Sequence, residues 1–286
     1  MLTVILGFAT ALVYGFADFF GAIASRKILA VKVTAISGFV GLLFLLLLSP
    51  ILGANFSTAA IVWGVAAGFA SAIAMSALYA SLAIGPISIV SPMSAVISAI
   101  VPLIFGFVTG DRFGFLGWLA LLVILIAVVL VGFVPGENVR LPSTRALLLA
   151  TIAGTGIGIV LICLAQAPRD TGIASVILLR AVSASLLGIY LLFTWMRTRR
   201  TAGESSPASS KFWIAAAVAG LFDSSANVFF TLGSRTGTLS VISVLTALYP
   251  LGTIILARIV LKERIAKVQM IGVLLALAGS AVLAVA

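Results

Sequence analysis

Ten apolar runs, each about twenty residues long, follow one another along the chain, separated by short polar breaks. They predict spans at Leu2–Ala24, Ala30–Leu48, Ala59–Leu82, Ile87–Val108, Phe113–Val134, Thr144–Ala165, Ile173–Met196, Phe212–Leu232, Leu239–Leu261 and Ile265–Val285. Such runs are too long and continuous for the alternating strands of a barrel. An open strand would leave its backbone groups unpaired in lipid. The pattern therefore predicts an all-α membrane protein with ten transmembrane helices. Most breaks span only a few residues, so neighbouring helices run antiparallel. Two polar stretches are longer: Pro135–Ser143, at the middle of the chain, and Arg197–Lys211, rich in Ser, Thr and Arg. Both read as surface loops, and no soluble domain is expected at either end. The first run lacks a basic leader and carries Asp18 in its second half, so it reads as a span and not as a cleavable signal.

Composition strengthens this reading. The chain is 63% hydrophobic and 8% charged, with a mean hydropathy of +1.33. A soluble domain of 286 residues needs a charged surface, which this chain cannot supply. The net charge of +10 would suggest a nucleic-acid partner if it were gathered on one face. Here the Lys and Arg residues punctuate apolar runs, so no nucleic acid is expected and the lipid bilayer is the partner. With the loops numbered one to nine, odd loops and their flanks hold 13 of the 17 basic residues and even loops hold three, Arg112, Arg169 and Arg235. Arg180 lies inside a span. The positive-inside rule then puts odd loops in the cytoplasm and both termini outside.

The chain also repeats itself. At an offset of 152 residues, Gly85, Ser88, Ser91 and Ala95 fall on Gly237, Ser240, Ser243 and Ala247. Asp111-Arg112 falls on Glu263-Arg264, with no gap between. Leu and Ala matches count for little between apolar helices; the acid-Arg pair and the Gly-x-x-Ser-x-x-Ser register count for more. Each half then holds five helices, residues 1–134 and 144–286, joined by the loop at 135–143. Five is odd, so the second half enters the membrane from the opposite side. The expected architecture is two inverted five-helix repeats, a plan suited to alternating access.

The run from Gly237 to Pro250, Gly-Thr-Leu-Ser-Val-Ile-Ser-Val-Leu-Thr-Ala-Leu-Tyr-Pro, is followed by Leu261-Lys262-Glu263-Arg264, Gly272 and Gly279. This resembles the second EamA domain of the drug/metabolite transporter superfamily. The first half carries a weaker copy ending in Asp111-Arg112, where that family more often has Glu-Arg. The resemblance implies transport of metabolites, commonly export of amino acids as in YddG-like exporters. It also implies a multi-pass place in a bacterial plasma (inner) membrane.

Among the charged residues only Asp18, Arg180 and Asp223 lie within spans. An ionised group at the bilayer centre costs roughly 2.5–3.5 kcal/mol on insertion scales, so each must face protein or water. Counted along the helices, Arg180 and Asp223 sit at similar depth and can pair. Asp18 counts closer to the odd-loop face, which predicts another partner or a solvated cavity. Tyr14 shares a helix face with Asp18, and Asn227 shares one with Asp223. Tyr79, Ser91, Ser94, Ser243, Thr246 and Tyr249 can add polar cavity walls. Together these groups offer carboxylates to an ammonium and Arg180 to a carboxylate, the complement that an amino-acid zwitterion requires. Single Ser and Thr residues have a plainer use, bonding to their own helix carbonyls. Asp18 and Asp223 are also candidate proton carriers. Pro92 and Pro102 interrupt the fourth helix and Pro250 the ninth, which suggests kinks or gates.

Other classes fit less well. There is no histidine, and Cys163 is the single cysteine, so His triads, His metal sites and an intramolecular disulfide are all excluded. No zinc-ligand cluster or phosphate-binding glycine loop occurs, so no metal, cofactor or enzyme activity is expected. The Gly-x-Gly-Asp context of intramembrane aspartyl proteases is missing around both aspartates. A channel should show a ring of charges or a carbonyl filter, and nothing here repeats that way. Two alternatives to amino acids remain as cargo, namely other metabolites and cationic drugs. A non-transporting channel or structural bundle is the alternative class. A monomer is compatible with this arrangement.

Overall fold

The computed structural model describes residues 1–85, 87–132, 142–198, 209–260 and 266–283. Among these every regular element is helical apart from one isolated bridge. In chain order they are α1 (Leu2–Ser25), α2 (Ala30–Leu52), α3 (Thr58–Ile84), α4 (Ile87–Thr109), α5 (Phe115–Gly132), α6 (Thr144–Gln166), α7 (Ala174–Thr198), α8 (Ser210–Ser234), α9 (Leu239–Thr246), α10 (Pro250–Val260) and α11 (Lys267–Leu283). Among the described residues, eight segments are long and apolar enough to cross a membrane, counting α9 and α10 as one run; α5 and α11 are shorter apolar helices. The chain is a multi-pass integral membrane protein with an all-α bundle. The Leu261–Arg264 motif, most of Pro135–Ser143 and the centre of Arg197–Lys211 lie outside the described residues.

The bundle is apolar outside, and its apolar interior also holds polar side chains. Leu47, Ile73, Ile104, Phe193 and Leu274 are exposed, as lipid-facing side chains should be. Ser37, Ser94, Ser98, Ser183 and Thr231 are buried. Their hydroxyls donate to backbone carbonyls, mostly within their own helices. Helices approach closely where glycine removes the side chain. Gly64 and Gly68 of α3 face Leu178 and Val182 of α7, while Gly154 and Gly158 of α6 face Ile97 and Val101 of α4. Both GxxxG pairs therefore mark helix crossings.

The packing follows a pattern. α1 lies on α8, and α3 lies on α6. α2 packs on α8, and α3 on α7. α1 meets α9 and α10, while α6 meets α4. α2 with α7, α4 with α9, and α5 with α11 complete the set.

The prolines act differently in the two helices. Pro92 and Pro102 do not interrupt α4, which runs helical through both. Each proline removes one donor, and in lipid no water competes for the freed carbonyl, so the remaining ladder keeps the helix. The ninth span, where Pro250 was expected to interrupt the helix, breaks at Ala247–Tyr249. Pro250 cannot donate to the Thr246 carbonyl. The Tyr249 N–H takes that acceptor instead at 3.1 Å, tightening the turn. The turn is pinned where α1 crosses α10. A side chain on Gly15 would strike the Tyr249 carbonyl, and Thr253 Oγ1 donates to the Gly15 carbonyl at 3.1 Å.

On the even-loop face, the α2–α3 connection is stitched to the start of α7. The Ile173 N–H donates to the Gly53 carbonyl at 2.9 Å, and the Asn55 N–H to the Thr171 carbonyl at 3.2 Å. Arg235, just after α8, donates to the Gly172 carbonyl at 2.6 Å. Burial there, and then the nearby Arg169, lower the Arg235 pKa from its ordinary value.

Candidate functional site

α1 and α8 run antiparallel, and four residues along each helix bring a polar pair into register. Tyr14 Oη donates to Asn227 Oδ1 at 2.8 Å. One turn away, Asp18 on α1 and Asp223 on α8 therefore reach the same level. Asn227 Nδ2 donates back to the Asp223 carbonyl at 2.7 Å. From α7, Arg180 Nη2 bonds Asp223 Oδ2 at 2.6 Å, with side chains only 4% and 6% exposed.

These groups share one cavity. Its polar wall includes Tyr14, Asp18, Arg180, Asp223, Thr246 and Tyr249, with Asn227 beside Asp223. Met75, Leu78, Ile157 and Val160 form an apolar wall opposite in character. The cavity holds about 40 Å³ of water-accessible space, room for about three waters.

The depth count placed Asp18 nearer the odd-loop face, with another partner or a solvated cavity. It lines the same cavity as the Arg180–Asp223 pair. The count fails because it measures from the ends of apolar runs, whereas the Tyr14–Asn227 bond sets the actual register of α1 against α8. The other expected residues stand at varying distances from the cavity. Ser94 lies behind the wall, bonded to Tyr249 Oη at 3.1 Å. Ser91 offers its carbonyl to Ser94 Oγ at 3.0 Å. Tyr79 is fully buried beside Gly21, and Ser243 is fully buried; neither lines the cavity.

Sequence reasoning missed Ser71 and Ser98, which also line it. Ser98 lies one turn beyond Ser94 on the same face of α4, a spacing that could have revealed it. Ser71, Met75 and Leu78 follow the same rule on α3.

Hydrogen bonding separates used from unused groups. Asp223 is engaged by Arg180 and Asn227. No hydrogen bond or ion pair reaches Asp18 among the described residues. Arg180 Nε and Thr246 Oγ1 are buried without partners. Buried polar groups are normally paired; Ser76, Tyr79, Ser175, Ser224 and Ser243 also carry an unpaired buried oxygen, away from the cavity. Fully ionised, Asp18, Arg180 and Asp223 give the cavity a formal charge of minus one. No group of three or more His, Cys, Asp or Glu residues that could hold a metal ion occurs among the described residues.

A crystal structure, described only as that of a protein, has the same fold: TM-score 0.73, covering 98% of this chain and 95% of its own at 15% identity. No curated protein matches the sequence. Residues 144–285 match the EamA-like transporter family.

Proposed function

We propose that this protein carries small polar metabolites, amino acids foremost, out of the cell by alternating access between two inverted five-helix repeats. The observation that carries this reading is the cavity's unused chemistry. It joins a partnerless carboxylate, Asp18, to partnerless donors on Arg180 and Thr246. A carboxylate for the ammonium and donors for the carboxylate suit a zwitterion, and the apolar wall of Met75, Leu78, Ile157 and Val160 suits its side chain. At about 40 Å³ the space is too small for an amino acid, so loading requires the helices to part.

The repeats, residues 1–134 and 144–286, find support in the packing. Exchanging α1–α5 with α6, α7, α8, the α9–α10 run and α11 turns the α1–α8 contact into α6–α3. It likewise turns α2–α8 into α7–α3, and α1 on α9–α10 into α6 on α4. α4–α9, α2–α7 and α5–α11 map onto themselves. A pseudo-twofold axis would produce such a set.

Thermal shift of the purified protein against amino acids, sugars, nucleosides and cationic drugs tests the cargo, because a bound ligand stabilises the native state. Amino acids should raise the Tm and show saturable counterflow in proteoliposomes. Stabilisation by cationic drugs alone would name the other cargo class. Non-saturating flux without counterflow would make the protein a channel.

We place the odd loops in the cytoplasm and both termini outside a bacterial inner membrane, on the basic-residue count. With Cys163 replaced by Ala, Ser205→Cys in the loop between α7 and α8 should resist a membrane-impermeant thiol reagent in intact cells. Ready labelling would invert the topology.

A further inference from the structure

We propose that Asp111 and Ser240 form a latch that holds the even-loop end of the pathway shut. The inference rests on the alternating-access reading above. Asp111 lies just beyond α4, and Ser240 is the second residue of α9. Asp111 Oδ2 accepts from Ser240 Oγ at 2.6 Å and from the Ser240 N–H at 3.1 Å. One carboxylate oxygen thus holds both a hydroxyl and an unused helix N-terminal donor, where the helix dipole also favours negative charge.

The chain is shaped for this contact. Gly110 has φ +122, a conformation that side chains rarely adopt. This reversal lets the Asp111 N–H bond the Gly106 carbonyl at 2.8 Å. A side chain on Gly106 would collide with Ser240 Oγ and Asp111 Oδ2. Two glycines therefore clear room for one acid and one serine 129 positions apart.

Position makes the contact a latch. α4 comes from the first half of the chain and α9 from the second. Ser94 of α4 also bonds Tyr249, at the far end of the α9 turn and on the cavity wall. The same two elements are thus joined beside the cavity and again at the membrane face. Opening the even-loop side requires α4 and α9 to part there, which breaks both Asp111 bonds. In the repeat register Asp111 matches Glu263 and Ser240 matches Ser88, so the acid–serine combination recurs in sequence for the opposite face. Glu263 and the side chain of Ser88 fall outside what the structure describes, and the latch does not depend on them.

The test reads cavity access from each side. Ser98→Cys places a near-isosteric thiol on the cavity wall, in a Cys163→Ala background. A membrane-impermeant thiol reagent is applied to intact cells and to inverted vesicles. Asp111→Ala should raise labelling from the even-loop side about tenfold, since losing charge-assisted bonds shifts a two-state balance by that order. Labelling from the odd-loop side should fall. Ser240→Ala keeps the backbone bond and the helix cap, so it should fold and shift the ratio in the same direction by less. Asp111→Asn, which still accepts both bonds, should restore most of the parent ratio. A lowered Tm with an unchanged ratio in both Ala variants would reduce Asp111 to a helix cap and overturn the latch. Counterflow on the same preparations separates the two claims. A shifted ratio in a protein that carries no metabolite would sink the transport reading and leave the latch standing.

Discussion

Replacing Arg180 by Gln is expected to cost about 3–5 kcal/mol of stability, the usual penalty for breaking a buried ion pair. Asp223 would lose its partner at 2.6 Å, and Asp18 faces the same cavity. Two carboxylates would then share the cavity with no cation on its walls. Asp223→Asn should cost less, because Arg180 retains Asp18 as a second carboxylate in the cavity. The double variant Arg180→Gln/Asp223→Asn removes both buried charges and should recover much of the loss. A coupling of about 2 kcal/mol is expected, within the range for residues in direct contact. Unfolding of the purified single and double variants in detergent measures it. Single costs that simply add would mean that the pair contributes nothing as a pair. Equal costs for the two single variants would mean that Asp18 does not act as the reserve partner.

Much of this architecture was legible because lipid imposes few solutions. A run such as Thr144–Ala165 has to be a helix, and α6 spans Thr144–Gln166. The Arg180–Asp223 pair was legible because an ionised group cannot face lipid and few partners were available. What escaped depended on how helices slide and turn against each other. Hydropathy sees Leu239–Leu261 as one apolar run, since Ala247, Leu248 and Tyr249 are as apolar in a turn as in a helix. The level of Asp18 depended on the Tyr14–Asn227 bond, across 213 positions. The Asp111–Ser240 contact was hidden for the same reason. Both residues stood out in the repeat, yet no periodicity links the end of one helix to the start of another so distant in sequence.

Asp18→Asn carries the sharpest expectation for mechanism. The side chain lines the cavity, and nothing among the described residues bonds it. A carboxylate kept for packing would be held by hydroxyls or backbone donors. The unused position of Asp18 points instead to an ammonium that arrives with the cargo. Losing one charge-assisted bond should weaken binding of zwitterionic or cationic cargo by about tenfold or more. The remaining flux should respond little to a pH gradient, and the Tm should change little. A different pattern assigns the proton to Asp18: equilibrium exchange persists, but uphill transport driven by a pH gradient disappears. A lower Tm with substrate affinity and pH response intact would return Asp18 to helix packing. Exchange, pH-driven uptake and melting are measured on one preparation, because each role moves a different one of the three. The companion change Asp18→Glu keeps the charge but lengthens the arm in a cavity of about 40 Å³. Affinity lost through charge should largely return with Glu, whereas affinity lost through shape should fall further.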